Sequence, residues 1–370
     1  MNKKKIVSDT RNNTSPPQPV IRWYLMPFTL LWGMVLSIRH FLYDHKILKS
    51  VSFDLPLFCV GNLSAGGSGK TPFSAYLLQF FQEKEIAVGL ISRGYGRSAA
   101  GFAEVQTQST AAEVGDEPLL LKQRFPQVPV GVGAKRIFTL IELLAEYPDV
   151  ETIVLDDAFQ HRAIAPSFNI LLSSYHRLYC YDQLLPAGYL RDIKKAARRA
   201  DVVIVSKCPE NLSEAVQQKL HTDLNILPQQ KLFFTRLQYE KPYFISQKTC
   251  TIDKNTPMVL VCGIAEPVSL VEYAQAHFKK IIIRQYPDHY RYTEKDWQSW
   301  RDLYFKGEKA QDTVLLTTEK DAVKILPLLQ AQPFDEAKVA VLSIKTVFLH
   351  SEAIFQQILL QHIKAVSKKD

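Results

Sequence analysis

The residues with the plainest chemical purpose run without interruption from Gly61 through Asn62, Leu63, Ser64, Ala65, Gly66, Gly67, Ser68, Gly69 and Lys70 to Thr71. Glycines let a backbone turn several N–H groups inward around phosphate oxygens, and a helix that follows adds the partial positive charge of its amino end. In such a loop Lys70 reaches the β- and γ-phosphates of a nucleotide, and the Thr71 hydroxyl ligates Mg2+. The general pattern asks for glycine where Ser64 stands, so the match departs at its first position. Three glycines and Lys-Thr between a strand pattern and a helix pattern still favour nucleotide binding over a plain glycine turn.

A second group fits the first. The apolar run Thr152–Leu155 ends in Asp156-Asp157. Open α/β sheets bind ligands at the carboxyl ends of their strands, and a carboxylate there commonly holds Mg2+. The plainer alternative is an Asp pair capping the next turn. Gln160 and His161 follow at once, and a lone histidine in such a place is more often packing than chemistry.

The elements that must position these groups alternate. Strands are predicted over Leu55–Val60, Ile86–Ser92, Thr152–Leu155, Asn169–Leu172 and Val202–Ser206, and again over Met258–Cys262, Lys280–Arg284, Thr313–Thr317 and Val339–Ser343. Between them Phe73, Leu77, Phe80 and Phe81 recur at helical spacing, as do Ile137, Ile141 and Leu144. A last amphipathic helix is predicted with Phe355, Ile358, Leu359 and Ile363 on one face. Alternation of this kind implies parallel sheets covered by helices. The fold class expected is α/β, a P-loop sheet domain over 51–240 with a smaller α/β domain over 241–370. The joint falls where Pro228, Pro242 and Pro257 interrupt the pattern.

Composition narrows the function. At 370 residues the chain is long enough for two cores, and 46% hydrophobic content excludes a disordered chain. The net charge is +8, but residues 1–50 carry eight basic side chains against Asp9 and Asp44, leaving the rest almost balanced. A nucleic-acid-binding face is therefore not expected. Five cysteines, odd in number and far apart, argue against a disulfide framework or a zinc site and for a reducing compartment. Cys59, inside Leu57–Val60, reads as a small core hydrophobe.

Residues 1–50 form a unit of their own. The polar tail over 1–19 is expected to lack regular structure. Trp23 to Ile38 carries no charge and includes Trp23, Tyr24, Phe28 and Trp32. As a helix that stretch is about 24 Å long, short of the ~30 Å of bilayer hydrocarbon, and no signal-cleavage site follows it. A helix lying in the membrane interface, with basic flanks toward anionic lipid, is the reading preferred here over a buried first helix.

Taken together, these motifs resemble the tetraacyldisaccharide 4'-kinase (lipid A 4'-kinase) family over nearly the whole chain. The resemblance is carried by Gly61–Pro72, by Ser92-Arg93-Gly94-Tyr95-Gly96, by Gly115-Asp116-Glu117-Pro118 and by Asp156-Asp157-Ala158-Phe159-Gln160-His161. Leu185–Asp192, Tyr286-Pro287-Asp288-His289 and Thr317-Thr318-Glu319-Lys320-Asp321 complete it. The family usually reads Gly-Leu where Ala158-Phe159 stand, and Arg-Glu where Arg191-Asp192 stand.

The resemblance implies transfer of the γ-phosphoryl of ATP, with Mg2+, to the 4'-hydroxyl of a tetraacylated glucosamine disaccharide 1-phosphate. The product is the bis-phosphorylated lipid A precursor (lipid IVA) of lipopolysaccharide biosynthesis. It also implies a place on the cytoplasmic face of the inner membrane of a Gram-negative bacterium. Asp116 is then the base and His289 its partner, meeting at an interdomain cleft. On sequence alone Asp116 reads as readily as the start of a helix, and Asp288-His289 as a polar turn. Arg93, Arg136 and Arg191 are candidates for phosphate oxygens of ATP or of the acceptor, and Gln160 and His161 are further candidates for phosphate or substrate. The competing reading is a membrane-peripheral P-loop ATPase or GTPase switch, which needs no base from a second domain. No guanine-reading motif follows Lys207.

Overall fold

The computed structural model describes residues 16–17, 19–245, 252–304, 313–331 and 338–367. The tail over 1–19 falls almost wholly outside them, as does Cys250.

Long apolar runs with both faces buried make the centre of a nine-stranded sheet. Its strands in chain order are β1 (Leu57–Asn62), β2 (Val88–Ser92), β3 (Ala103–Glu104), β4 (Val130–Val132), β5 (Thr152–Asp156), β6 (Phe168–Ser174), β7 (Val202–Ser206) and β8 (Lys231–Tyr239). A second sheet of five strands uses β9 (Tyr243–Phe244), β10 (Met258–Cys262), β11 (Ile281–Gln285), β12 (Val314–Thr318) and β13 (Val339–Leu342). The chain then returns to the first sheet as β14 (Ile344–Phe348). The orders are β14-β8-β7-β6-β1-β5-β2-β4-β3 and β11-β10-β12-β13-β9. In the larger sheet β1, β2 and β4 to β8 run parallel, with antiparallel strands only at its edges, and every residue of β1, β2, β5 and β7 is buried. Covering helices on both faces demand such continuous apolar strands.

Among the described residues ten α-helices cover and connect the sheets: α1 (Met26–Asp44), α2 (Lys70–Glu83), α3 (Ala111–Val114), α4 (Asp116–Arg124), α5 (Arg136–Glu146), α6 (Glu214–Asp223), α7 (Val268–His277), α8 (Glu294–Tyr304), α9 (Glu319–Gln330) and α10 (Glu352–Val366). Helix α2 buries Phe73, Leu77, Phe80 and Phe81, the stripe its spacing predicts, and α10 buries Phe355 and Leu359 against the same core. Helix α5 lies where expected but is rotated. It buries Leu140 and Leu143, leaves Ile141 half exposed, and packs Ile137 and Leu144 only partly.

The expected division at residue 240 differs at its far end. Strand β14 pairs antiparallel with β8, Ile344 opposite Tyr239, and α10 packs on the larger sheet's core. The physical reason is an edge: β8 would otherwise present unpaired N–H and C=O groups. The smaller sheet is thus inserted between β8 and β14.

Helix α1, with a short 3-10 turn at Trp23–Leu25, is helical over Trp23–Asp44, 22 residues, longer than the uncharged stretch. It is apolar enough by length and composition to cross a membrane. Only Thr29, Leu36 and His40 are buried on it. Trp23 is 66% exposed, and Tyr24, Phe28, Leu30 and Leu31 are more than half exposed.

Candidate active site

The glycine loop joins β1 to α2 at the carboxyl edge of the larger sheet. Gly69 caps α2 with φ at +79° and Gly66 turns with φ at +105°, conformations that side chains rarely adopt. Gly61 answers a different need: a Cβ there would stand 2.5 Å from the Cβ of Phe159. The loop is braced from within by Asn62 Nδ2 donating to Ser68 Oγ (2.7 Å) and from β7 by Ser206 Oγ donating to the Ser68 carbonyl (2.7 Å). The Leu184–Arg191 segment flanks it, with Ala65 N–H donating to Tyr189 O (2.7 Å) and Arg191 N–H to Leu63 O (2.8 Å).

The two adjacent carboxylates after β5 have different surroundings. Asp156 is fully buried and accepts from Ser74 Oγ (2.8 Å) and Ser92 Oγ (3.3 Å). Burial, with Glu117 and Asp157 nearby, pushes its carboxyl well above the usual range. Asp157, with φ at +48°, turns into the cleft. Its oxygens meet the Arg191 guanidinium, and Lys70 Nζ lies 3.8 Å away. Burial raises its pKa, but Lys70, Arg191 and Arg136 outweigh burial and hold it at about 2. Of the pair, Asp157 faces the cavity, whereas both oxygens of Asp156 are engaged beneath it.

The smaller sheet supplies the far wall. Asp116 opens α4 and is 7% exposed; His289, from the loop after β11, places Nδ1 3.0 Å from its Oδ2. Gly115, at φ +95°, makes the turn before it, where a Cβ would sit 3.0 Å from Gly94 Cα. His289 itself has φ at +56°. Tyr95 of the Ser92–Gly96 motif packs its ring 5.6 Å from the imidazole. Lys320, from the Thr317–Asp321 motif, reaches Glu117 and Asp288 at 3.2 Å each and Asp116 at 4.0 Å. Burial lowers its pKa, but those three carboxylates raise it further.

Between these walls lies a cavity of about 470 Å³, lined by the loop, by Lys70, Thr71, Asp157 and Arg191, and by His289 and Lys320 from the other side. The remaining candidates fall differently. Arg93 is exposed. Arg136 is buried at the start of α5, donating to Gly133 O (2.6 Å), with its pKa brought down to about 10 by burial. Gln160 donates to Asn62 O (2.8 Å), bracing the loop from outside the cavity. Burial and three arginines, Arg136 first among them, lower the pKa of His161.

Two pairs escaped sequence reasoning. Lys207, in the left-handed region just after β7, sits 3.3 Å from where a Gly67 Cβ would stand and pairs with Glu266 at 2.5 Å. Asp192, which stands where the family usually has Glu, is fully buried with Oδ1 2.6 Å from His40 Nε2 of α1. Sequence spacing carries no sign of either contact. Only the motif position of Asp192 marked it.

The donor set suits a hard cation. Thr71 offers a hydroxyl and Asp157 a carboxylate on the cavity wall. Among the described residues no three His, Cys, Asp or Glu side chains form a cage, as fits an ion whose shell is completed by phosphate oxygens and water.

A parallel sheet with a glycine loop after its first strand, a carboxylate at the neighbouring strand end and an Asp–His pair opposite defines a P-loop phosphotransferase. The chain belongs to the tetraacyldisaccharide-1-P 4'-kinase family, whose model matches residues 21–364. It is 38% identical to the tetraacyldisaccharide 4'-kinase of Flavobacterium johnsoniae over 347 residues, covering 93% of this chain and 98% of that one. It is 36% identical to that of Bacteroides thetaiotaomicron, covering 83% of each. Its fold matches a solved structure of LpxK from Aquifex aeolicus in complex with ATP, with a TM-score of 0.73 and 27% identity over 92% of this chain and 99% of that one.

Proposed function

We propose that this chain phosphorylates the 4'-hydroxyl of a tetraacylated glucosamine disaccharide 1-phosphate with ATP, yielding the bis-phosphorylated lipid A precursor. The observation that carries the reading is the Asp116–His289 pair, 3.0 Å apart, whose His289 lines the cavity shared with the Lys70 loop, in a chain of this family. A switch protein has no use for such a base.

The acceptor hydroxyl attacks the γ-phosphorus, its O–P bond forms, and the bond to the β–γ bridging oxygen breaks to release ADP. Asp116 takes the hydroxyl proton, while the Nδ1–H of His289 fixes which carboxylate oxygen is free. Such transition states are loose, so positioning and charge neutralisation carry most of the acceleration. The loop N–H groups and Lys70 hold the phosphates; Arg191 lies where a phosphoryl oxygen can exchange for Asp157. Thr71 and Asp157 are the residues that would hold Mg2+, which neutralises phosphoryl charge when bound.

The α1 helix supports a membrane-peripheral place on the cytoplasmic side of the inner membrane of a Gram-negative cell. Thr29, Gly33, Leu36 and His40 form one seam against the body: Thr29 Oγ1 accepts from Ala187 N–H (3.1 Å), and Leu184 lies against Gly33. A helix docked along one side cannot be ringed by lipid, so it lies in the interface with Trp23, Tyr24 and Trp32 at headgroup depth. A lipid acceptor gives that placement its purpose.

The test is incubation of purified protein with Mg-ATP and the tetraacylated disaccharide 1-phosphate in detergent, scored by a mass gain of one phosphate on the lipid. ATP hydrolysis with the lipid unmodified would sink the kinase reading and favour a switch.

A further inference from the structure

Helix α1 touches more than the side of the body. Three of its polar side chains reach two segments that end in the cavity. Arg39 Nη2 donates to the Gln160 carbonyl (2.8 Å), and Gln160 in turn donates to Asn62 O at the foot of the glycine loop (2.8 Å). His40 Nε2 meets Asp192 Oδ1 at 2.6 Å, and the neighbouring residue is Arg191, which binds Asp157 and Asn62. Arg162 closes the set, donating to His40 Nδ1 (3.0 Å) and to Asp44 (2.8 Å).

Asp192 is the centre of this arrangement. Its side chain is 0% exposed, and a buried carboxylate must be paired or its segment rearranges. Its partners are His40, the Ile193 N–H at 2.9 Å and the Arg199 guanidinium at 3.6 Å. Remove His40 and Oδ1 keeps one backbone donor, with the Arg199 guanidinium 3.6 Å from the other oxygen. The backbone that would shift is the one whose Arg191 N–H is bonded to Leu63 O within the loop.

We propose that α1 is part of the catalytic architecture and not only an anchor: His40, and Arg39 beside it, are positioning residues that hold Arg191, Asp157 and Asn62 in register with the phosphate loop. The inference rests on the kinase reading above and adds to it. Lipid contact on the exposed face of α1 and phosphate chemistry at its buried face then share one rigid element.

The test compares His40→Ala, His40→Gln and Arg39→Met with the wild-type chain. Four quantities are read: kcat and KM on the lipid acceptor in mixed micelles, affinity for a fluorescent ATP analogue with Mg2+, flotation with anionic vesicles, and the melting temperature. His40→Ala is expected to lower kcat ten- to a hundredfold, at roughly the cost of a 1 Å misplacement, and to weaken nucleotide binding several-fold with flotation unchanged. His40→Gln, which can still donate to Asp192, restores most of both. Arg39→Met keeps the aliphatic stem and lowers kcat by several-fold; it carries the test if His40→Ala fails to fold. Wild-type kcat and nucleotide affinity in folded His40→Ala or Arg39→Met, with only flotation or lipid KM altered, would overturn the proposal. If the wild-type chain phosphorylates no lipid, the kinase reading falls, and the nucleotide-affinity arm still decides this one.

Discussion

The Nδ1 atom of His289 stands 3.0 Å from Oδ2 of Asp116 although 173 residues separate them in the chain. One comes from the larger sheet's layer and one from the smaller. Burial pushes the Asp116 carboxyl up, but the bond from His289 and the charge of Lys320 outweigh burial and bring it below its ordinary value. The bond to Asp116 raises the imidazole against the opposing effects of burial and Lys320.

Asp116→Asn is expected to cut kcat by about 10²–10⁴ while nucleotide affinity stays near wild type, the span usual for loss of a general base. Mass spectrometry of the lipid product against time measures it. An unchanged rate would remove Asp116 from the reaction.

The pH dependence has a definite sign. The imidazolium of His289 is favoured by folding, so the pair adds stability below an ordinary histidine pKa of 6.5 and loses it as pH rises through the raised value. For catalysis the order reverses, because an imidazolium beside Asp116 lowers the basicity the reaction needs. The acid limb of kcat/KM should therefore lie above pH 6.5, and His289→Gln should move it to lower pH while lowering the plateau. A limb in the same place in both proteins would contradict this.

Gly61→Ala tests the approach of β1 to the Asp156–His161 segment. The added methyl meets Phe159 Cβ at 2.5 Å and the Phe159 backbone nitrogen at 3.0 Å. Overpacking of this kind costs about 1–3 kcal/mol. Thermal unfolding should show a lower midpoint, together with weaker nucleotide binding.

Lys320→Met removes one cation from among Glu117, Asp288 and Asp116. Three carboxylates then face one another across the cleft without it, so the smaller sheet's approach is disfavoured. A fall in kcat/KM of about tenfold or more is expected, in line with truncating one member of a shielded charge cluster. Added salt should narrow the difference from wild type.

Paired serine substitutions at Trp23 and Trp32 should reduce flotation with anionic vesicles and leave nucleotide binding intact. Neither ring belongs to the seam of Thr29, Gly33, Leu36 and His40. A flotation assay at low and high salt separates the apolar contribution from the basic flank.

The chemistry that lies within single segments was legible. Gly61–Thr71 declares itself because a phosphate cradle needs contiguous glycines, and Thr152–Asp157 because a buried parallel strand is apolar to its last residue. The strands β5, β7 and β10 fall close to their expected positions for the same reason. Chemistry assembled from separate segments left no local trace: the Lys207–Glu266 pair and the His40–Asp192 pair have no spacing that could reveal them. Asp116 and His289 were singled out by motif resemblance, since each reads locally as a helix start or a turn. Strand β8 falls at the supposed joint around Pro228 and Pro242; it pairs with β7 on one side, and its other partner, β14, lies more than a hundred residues on. The rotation of α5 shows the same limit, as apolar spacing names a stripe but the neighbours choose which edge of it is covered.

The return of β14 and α10 to the larger sheet bears on how the chain is made. Residues 57–239 emerge from the ribosome before the smaller sheet, yet their layer is sealed only by the last 24 residues described. While β9 to β13 are being synthesised, β8 is an open edge and the surface around Phe73 and Tyr76 lacks its Phe355 cover. Nascent chains of this protein are therefore exposed to misassociation until β14 and α10 have emerged, and the docking of those two elements is the event that completes the larger sheet.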